Sequence, residues 1–279
     1  MAALAPVIDG RTRVYGILGR PVAHSLSPAM HNAAFAHLGL NAVYVPFEVQ
    51  DLARAVAGLK GLNIGGVSVT IPFKEEIIPL LDGVTGPAAR MGAVNTVVNQ
   101  GGRLVGHNTD WLGAVAALKE KTELQGRQVL ILGAGGAARA IVYAVLEAGG
   151  RVIVTDVDMF KAATLAREFG VEALEPGQID ACGAEILINA TPVGMAPHSE
   201  EIPVAPELLS RFRLVMDIVY RPLQTRLLQE AHARGCEVVD GLRMLLHQGA
   251  AQFTLWTGRP APVEVMAEAA YGALAAAGE

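Results

Sequence analysis

Lys74 is the first residue whose type and position suggest chemistry. It closes the stretch SVTIPFK (residues 68–74), in which a run of β-branched residues predicts a buried strand and Pro72 predicts a turn after it. An ammonium group at a strand end can hydrogen-bond a substrate oxygen, stabilise charge that develops there and transfer a proton. The alternative is a solvated lysine in the first turn of a helix, beside Glu75 and Glu76.

A glycine-rich stretch supplies the second candidate site. Gly133, Gly135 and Ala138 fit the pattern G-x-G-x-x-G/A, directly after the apolar run VLIL and at the start of a helical pattern. The first glycine permits a tight turn, the second lets a pyrophosphate approach the backbone, and the small third residue lets helix and strand pack closely. A simple βα turn is the alternative. The predicted dinucleotide contacts in this loop are Gly133, Ala134, Gly135, Gly136 and Ala137.

Asp156 bears on which dinucleotide is bound. It lies 23 residues after Gly133, close to the offset of about 20 at which an acidic residue binds the adenosine ribose hydroxyls. A carboxylate there repels a 2'-phosphate, so this position favours NAD over NADP. In the alternative interpretation Asp156 or Asp158 caps the next helix. Lys161 and Arg139 are basic residues that remain candidates for contacting a phosphate.

Length and composition set the class of protein. The chain has 279 residues, of which 52% are hydrophobic and 18% charged, enough apolar material for two domains. The net charge of -5 argues against nucleic acid and anionic membranes as partners. No signal peptide and no apolar run of about 18 residues are recognised, which predicts a soluble cytoplasmic protein. The two cysteines, Cys182 and Cys236, lack the spacing of a metal or redox pair, and no metal site is predicted.

Apolar runs alternate with helical patterns along most of the chain, which predicts βα units and mainly parallel sheets. Ser27 is the predicted N-cap of one helix and Asp51 that of the next. Two short strands that meet at Gly101 and Gly102 predict a hairpin, and hence a mixed first sheet. Predicted strands include residues 14–19, 42–49, 64–71, 185–191, 214–220 and 236–241, and the last two helices are predicted at 242–257 and 262–277.

Seven motifs in order resemble those of the shikimate dehydrogenase family. The resemblance covers essentially the whole chain. The matching positions are Ser25 and Ser27 (S-x-S-P), Val69, Thr70, Pro72 and Lys74 (V-T-x-P-x-K), Gly92 to Thr96 (G-A-V-N-T), Gly106 to Asp110 (G-x-N-T-D), Gly133 to Ala137 (G-A-G-G-A), Asn189 to Gly194 (N-A-T-P-x-G) and Met244 to Gln248 (M-L-x-x-Q).

The resemblance implies reversible reduction of 3-dehydroshikimate to shikimate by a nicotinamide cofactor, in the pathway to aromatic amino acids. Lys74 and Asp110 would be the catalytic pair, and Thr191 and Gly241 would join the cofactor contacts. A ring with several hydroxyls calls for many short hydroxyl and amide partners. The implied substrate-binding residues are Ser25, Ser27, Thr70, Lys74, Asn95, Asp110, Tyr220 and Gln248.

The predicted fold class is α/β, with two α/β domains and a cleft between them. Residues 1–109 plus 242–279 would form the substrate domain with a mixed sheet, and residues 110–241 a Rossmann-type dinucleotide domain. The predicted partner is a small-molecule substrate, and the expected assembly is a monomer or homodimer. Four histidines flank the motifs and are candidate acid/base groups or, alternatively, packing residues: His24, His31, His107 and His247.

The chain departs from the family pattern at the adenosine end. NADP-specific members carry N-R-T-x-x-R, where this chain has Asp156, Val157, Asp158, Met159, Phe160 and Lys161. Without an arginine fork, binding of NADP should weaken, so NAD is expected to serve at least comparably. This departure keeps an NAD-dependent quinate/shikimate dehydrogenase of catabolic type as an alternative. A non-catalytic dinucleotide-dependent sensor is a remote one, because Lys74 and Asp110 are both retained.

Overall fold

The computed structural model describes residues 8–276. They divide into two compact units, the first containing residues 8–109 and 249–276 and the second residues 110–248. The sequence places the return to the first domain at residue 242, whereas the division lies later, inside the helix Gly241–Thr257. Residues 1–7 and 277–279, which the predicted first domain includes, lie outside the described residues. The assignment of substrate and dinucleotide binding to these units stays a prediction.

The first unit is built on a mixed six-stranded sheet with the order β2-β1-β3-β5-β6-β4. The hairpin between β5 and β6 turns at Gly101 and Gly102, whose positive φ angles of 64° and 95° suit glycine. The mixed sheet predicted from that hairpin is confirmed. The strands are β1 (Arg13–Gly19), β2 (Ala42–Glu48), β3 (Gly66–Val69), β4 (Gly83–Val84), β5 (Thr96–Gln100) and β6 (Arg103–His107).

Two helix starts in this unit bear on the N-caps predicted at Asp51 and Ser27. The Asp51 carboxylate accepts from the Arg54 N–H at 3.0 Å, which confirms Asp51 as an N-cap. The predicted cap at Ser27 is wrong, because Ser27 is already helical and its own N–H donates to the Ser25 hydroxyl at 3.2 Å. The helices are α1 (Ser27–His37), α2 (Leu52–Gly61) and α3 (Gly86–Met91), with α9 (Val263–Ala276) near the end of the chain.

The second unit carries a six-stranded parallel sheet with the order β12-β11-β10-β7-β8-β9. Counted from β7, this is the order 3-2-1-4-5-6 of a Rossmann-type sheet, as predicted. The strands are β7 (Gln128–Leu132), β8 (Arg151–Thr155), β9 (Glu172–Ala173), β10 (Ile186–Asn189), β11 (Leu214–Asp217) and β12 (Glu237–Val239).

Helices cover both faces of this parallel sheet. Along β7, Val129 and Ile131 belong to one apolar core while Leu130 and Leu132 belong to the other. Because both faces are buried, the strand is a continuous apolar run rather than an alternating one. The helices are α4 (Asp110–Lys119), α5 (Gly136–Glu147), α6 (Met159–Phe169), α7 (Arg226–Ala233) and α8 (Gly241–Thr257), and short 3-10 helices lie at Ile78–Leu80, Pro176–Ala181 and Pro206–Arg211.

His31 belongs to the aromatic core of the first unit. Its ring is fully buried and stacks on Tyr44 with ring centres 4.5 Å apart, and Phe35, Phe253 and Trp256 surround it. Burial lowers the pKa of His31 from 6.5 to about 3, because the charged imidazolium is poorly solvated there. In this position His31 is a packing residue, one of the two roles that the sequence left open.

His31 should make the fold sensitive to acid. Below pH 6.5 the unfolded chain protonates this histidine while the folded chain does not until about pH 3, so stability is lost as the pH falls through that range. We expect His31→Phe, which keeps a ring, to gain up to about 1.4 kcal/mol over the parent chain per pH unit across this window. Urea unfolding of both proteins at several pH values measures the difference. A difference that is constant with pH would contradict the prediction.

Within residues 8–276, no helix combines the length and the apolar composition that crossing a lipid bilayer requires.

Candidate active site

In the first unit, the loops after β1 and β3 lie side by side. A Cβ atom on Gly19 would come within 2.3 Å of Thr70 Cγ2, so only glycine allows this approach. The Arg20 N–H donates to the Ile71 carbonyl at 3.0 Å. The chain from β1 then leads to Ser25, which is partly buried, and the structure thus brings the Ser25 loop and the Thr70 loop to the same end of the sheet.

Backbone hydrogen bonds hold Lys74 beside Asn95. The Val94 N–H donates to the Lys74 carbonyl at 2.7 Å, and the Val69 N–H donates to the Asn95 carbonyl at 2.7 Å. Lys74 is half-buried in a turn that precedes the 3-10 helix Ile78–Leu80, so the α-helical first turn considered for it does not form. The structure therefore places Lys74 near the end of β3, close to the residues before β5.

Asn95 in turn fixes the chain at Thr109. Its Oδ1 accepts from the Thr109 N–H at 2.7 Å, and its Nδ2 donates to the Thr109 hydroxyl at 3.0 Å. Both residues are almost fully buried, at 2% and 1% exposure. Asp110 is the next residue and begins α4, where it is also buried. In the G-x-N-T-D motif, Thr109 is therefore fixed by its hydrogen bonds to Asn95, and the buried carboxylate of Asp110 follows directly.

Gln248 lies on α8 where that helix packs closely on α4. A Cβ atom on Gly113 would stand 2.6 Å from the Met244 carbonyl oxygen and 2.9 Å from Gln248 Cβ, so the two helices approach at a glycine. The Gln248 side chain is 7% exposed, and its Nε2 donates to the Leu245 carbonyl at 2.9 Å. Within the second unit, Gln248 is therefore a neighbour of the helix that carries Asp110.

The glycine loop lies where the strand order of the second sheet reverses. Gly133 has a φ of 107°, and a Cβ atom on it would stand 3.1 Å from both the Ala190 carbonyl oxygen and Thr191 Cγ2. β7 and β10 are neighbours there, and ligands of such sheets bind in the crevice beyond their carboxyl ends. The structure thus brings the loop after β7 and Thr191, both predicted cofactor contacts, to one crevice.

The conformation and surroundings of Gly135 indicate whether a dinucleotide fits this crevice. Its φ of -84° suits any residue, and a Cβ atom on it would meet nothing within 4 Å, so the fold itself does not require glycine there. Gly136 and Ala137 open α5, whose first N–H groups and helix dipole favour an anion. A pyrophosphate close to the backbone would explain the glycine, and the loop therefore fits a bound dinucleotide.

Both oxygens of Asp156 accept backbone hydrogen bonds. Oδ2 accepts from the Ala134 N–H and Oδ1 from the Asp158 N–H, each at 2.8 Å. Asp158 caps α6, and Lys161 pairs with it at 3.8 Å with a side chain 66% exposed. A carboxylate thus stands at the end of β8 beside the glycine loop, and the nearby basic charge of Lys161 is partly balanced by Asp158.

Asp217 organises the loops after β10 and β11. Its carboxylate accepts from Asn189 Nδ2 at 3.0 Å, from the Thr225 hydroxyl at 2.7 Å and from the Val219 N–H at 3.0 Å. Burial raises its pKa to about 6 despite these bonds. Asn189 Oδ1 accepts from the Thr191 hydroxyl at 2.6 Å, so Asp217 supports the loop of a predicted cofactor contact.

The loop after β11 contains Tyr220 and packs against Gly241. Tyr220 is partly buried just beyond Asp217, and burial raises the pKa of its phenol. A Cβ atom on Gly241 would stand 2.4 Å from the Ile218 carbonyl oxygen, so Gly241 lets α8 start against this loop. Close packing accounts for this glycine, and its predicted contact with the cofactor stays a prediction.

Two of the other histidines that flank the motifs have defined surroundings. His247 contacts Glu120 at 3.0 Å, and burial lowers the pKa of the half-buried His107. Among residues 8–276, no group of three or more His, Cys, Asp or Glu side chains is arranged to hold a metal ion.

Sequence reasoning missed Gln252, which lies one helical turn beyond Gln248 and is buried beside Asn95. Its position on the same face as Gln248 was the available signal.

Three family models match parts of the chain. The model of the shikimate dehydrogenase substrate binding domain matches residues 17–97, and that of the shikimate 5'-dehydrogenase C-terminal domain matches residues 241–271. Between them, a model described as NADP oxidoreductase, coenzyme F420-dependent, matches residues 128–216. The matches cover the glycine loop and most of the segments that carry the motifs.

Individual relatives match over nearly the whole chain. Shikimate dehydrogenase (NADP(+)) from Thermococcus kodakarensis is 52% identical over 256 residues, which are 90% of this chain and 93% of the relative. Shikimate 5-dehydrogenase from Thermus thermophilus, solved in complex with NADP(H) and shikimate, has a TM-score of 0.87 at 42% identity, covering 94% of this chain and 100% of that one. Quinate dehydrogenase from Corynebacterium glutamicum, solved in complex with NAD, has a TM-score of 0.86 at 33% identity, covering 94% and 99%.

Proposed function

The chain belongs to the shikimate dehydrogenase family, and on this premise we propose that it reversibly reduces 3-dehydroshikimate to shikimate with a nicotinamide dinucleotide. The observation that carries this function is the arrangement of Thr70, Lys74, Asn95 and Thr109 at one end of the first sheet, held by the hydrogen bonds given above. Asp110 is the next residue of the chain. This activity belongs to the biosynthesis of aromatic amino acids. The shikimate dehydrogenase named among the relatives, at 52% identity, favours it over the quinate enzyme at 33%.

The polar residues of the proposed substrate site match a ring that carries several hydroxyls and a carboxylate. Hydroxyl and amide side chains both donate and accept, so each can pair with a substrate hydroxyl. A site that buries such groups rejects an analogue lacking a hydroxyl, because a protein group would then lose its partner. We assign substrate hydrogen bonds to Ser25, Ser27, Thr70, Asn95, Tyr220 and Gln248.

Lys74 and Asp110 carry the proton transfer in this proposal. When bound, the dinucleotide supplies or accepts the hydride at the carbon of the reacting alcohol. During reduction the carbonyl oxygen becomes negative, and the Lys74 ammonium stabilises that charge and donates the proton that makes the hydroxyl. In the reverse direction the proton returns to the amine. Asp110, buried at the start of α4, adds a carboxylate that orients the proton-bearing group.

The glycine loop and its neighbours would hold the dinucleotide in this proposal. Gly133 to Ala137 and the start of α5 would bind the pyrophosphate, and Asp156 and Lys161 would contact the adenosine end. Thr191 and Gly241 complete the assignment.

An activity assay tests the function directly. The purified protein is given shikimate or quinate, each with NAD or NADP, and formation of the reduced nicotinamide is followed by absorbance. We expect turnover of shikimate. Turnover of quinate alone would instead support the catabolic alternative, and dinucleotide binding without turnover of either acid would support the sensor. Sedimentation of the same sample distinguishes the two expected assemblies, a monomer and a homodimer.

The same assay measures the preference for the dinucleotide. We expect kcat/KM with NAD to be at least comparable with that for NADP, because Asp156 opposes a 2'-phosphate and no arginine fork is present. The relatives named as NADP(+) enzymes set the opposite expectation, so the result is informative. A preference for NADP of more than about tenfold would overturn the prediction.

The double variant D156N/V157R and the single variant V157Q test whether charge at the adenosine end causes this cofactor preference. In D156N/V157R the carboxylate is neutralised and an arginine is added at a position that is 98% exposed, where a long side chain meets solvent. We expect the ratio of kcat/KM for NADP to that for NAD to rise about tenfold or more. V157Q is the matched control without a new charge, and a similar rise in V157Q would contradict the electrostatic explanation.

A further inference from the structure

Gln252 is a buried amide on α8 in the first unit, and every polar atom of its side chain is hydrogen-bonded. Its exposure is 1%. Nε2 donates to the Asn95 carbonyl at 3.0 Å and to the Thr96 hydroxyl at 2.9 Å, and Oε1 accepts from the Ser68 hydroxyl at 2.8 Å. An amide with both donors and its acceptor used has a fixed orientation.

The hydrogen bonds of Tyr44 and Ser68 determine which atom of the Gln252 amide is the acceptor. The Tyr44 hydroxyl donates to Ser68 Oγ at 2.6 Å, so the single Ser68 proton is left to donate to Gln252 Oε1. This identifies Oε1 as the acceptor end of the amide and Nε2 as the end that faces Asn95 and Thr96. All of these side chains are buried, where an unmatched donor or acceptor would be costly.

The same reasoning extends to Asn95. Because Gln252 Nε2 donates to the Thr96 hydroxyl, the one Thr96 proton is directed to Asn95 Oδ1, at 2.7 Å. Asn95 Oδ1 also accepts from the Thr109 N–H. With Oδ1 held by these donors, Asn95 Nδ2 is fixed as the donor end of its amide.

We propose that Gln252 is a positioning residue that acts through Thr96 to set the amide orientation with which Asn95 hydrogen-bonds the substrate. The inference rests on the proposed function, in which Asn95 binds a substrate hydroxyl. Gln252 does not itself touch the substrate. The series Tyr44, Ser68, Gln252, Thr96 and Asn95 is here called the amide relay.

Three substitutions separate positioning from packing. Gln252→Met keeps the length of the side chain but removes all its hydrogen bonds, and Thr96→Val removes the hydroxyl that joins Gln252 to Asn95. Thr96→Ser retains that hydroxyl. The control is Phe253→Leu, a fully buried neighbour on α8 that packs in the aromatic core and takes no part in the relay.

Steady-state kinetics and thermal unfolding of the full chain give the readouts. We expect Gln252→Met and Thr96→Val to raise the KM for shikimate about tenfold or more, with the KM for the dinucleotide unchanged. Thr96→Ser should restore the parent KM. Phe253→Leu should lower the Tm while leaving the KM for shikimate as in the parent.

Different results overturn the relay and the proposed function. An unchanged KM for shikimate in Thr96→Val, or an equal rise in Thr96→Ser or Phe253→Leu, would show that the relay does not position Asn95. Should Gln252→Met fail to fold, the pair Thr96→Val and Thr96→Ser still decides the question. If the parent chain turned over no shikimate, the proposed function would fail instead, before any variant is compared.

Discussion

Replacing Lys74 with Ala is expected to lower kcat for shikimate oxidation by about 10²–10⁴-fold, with little change in the KM for shikimate. The physical reason is that the ammonium interacts most strongly with the oxygen when that oxygen is negatively charged in the transition state. Many other polar groups in the proposed site bind the ground state. Loss of Lys74 should therefore affect turnover more than binding, and steady-state kinetics with saturating dinucleotide measures both.

A second substitution at this position separates charge from proton transfer. Arginine keeps a positive charge but does not release a proton in proteins, so Lys74→Arg should be nearly as inactive as Lys74→Ala if proton transfer is essential. Lys60→Ala is the control, because Lys60 is a solvent-exposed residue paired with Asp82 on the surface of the same unit. Activity of Lys74→Ala near that of Lys60→Ala would show that Lys74 has no catalytic role.

Asp110→Asn should lower kcat by about 10²-fold or more. Asparagine has the same shape as aspartate, so α4 should still form, and its first turn loses only the modest stabilisation that a negative charge gives there. If Asp110 orients the proton-bearing group, its loss should be much less damaging once Lys74 is absent. The measurement is a cycle of Lys74→Ala, Asp110→Asn and the double variant, compared through kcat/KM.

The control for this substitution is Asp51→Asn. Asp51 is also an aspartate at a helix start, where asparagine caps equally well, and no catalytic role is assigned to it. Unchanged kinetics are expected there. Fully additive losses in the cycle would mean that Lys74 and Asp110 act independently, contrary to the assigned pair.

Local patterns predicted much of the fold and several parts of the site. The glycine loop, the cap at Asp51 and the hairpin at Gly101 each depend on residues only a few positions apart. The prediction at Ser27 was wrong by one residue, because the helix already includes Ser27 and its N-cap position is Leu26, whose side chain makes no capping hydrogen bond. The family motifs extended this information to side chains whose roles no local pattern reveals.

The sequence by itself determined the two kinds of sheet and the glycine loop, because these follow from short-range periodicity and turn chemistry. Its resemblance to a family, and not a local pattern, identified Lys74 and Asp110 as the candidate acid/base pair. Only the tertiary structure decided that Ser68 meets Gln252, 184 residues away, and that Asp156 accepts from the N–H of Ala134. It also placed the division between the units inside α8. Such contacts depend on how whole strands and helices pack, and a buried hydrogen bond forms only where that packing brings a donor and an acceptor within about 3 Å.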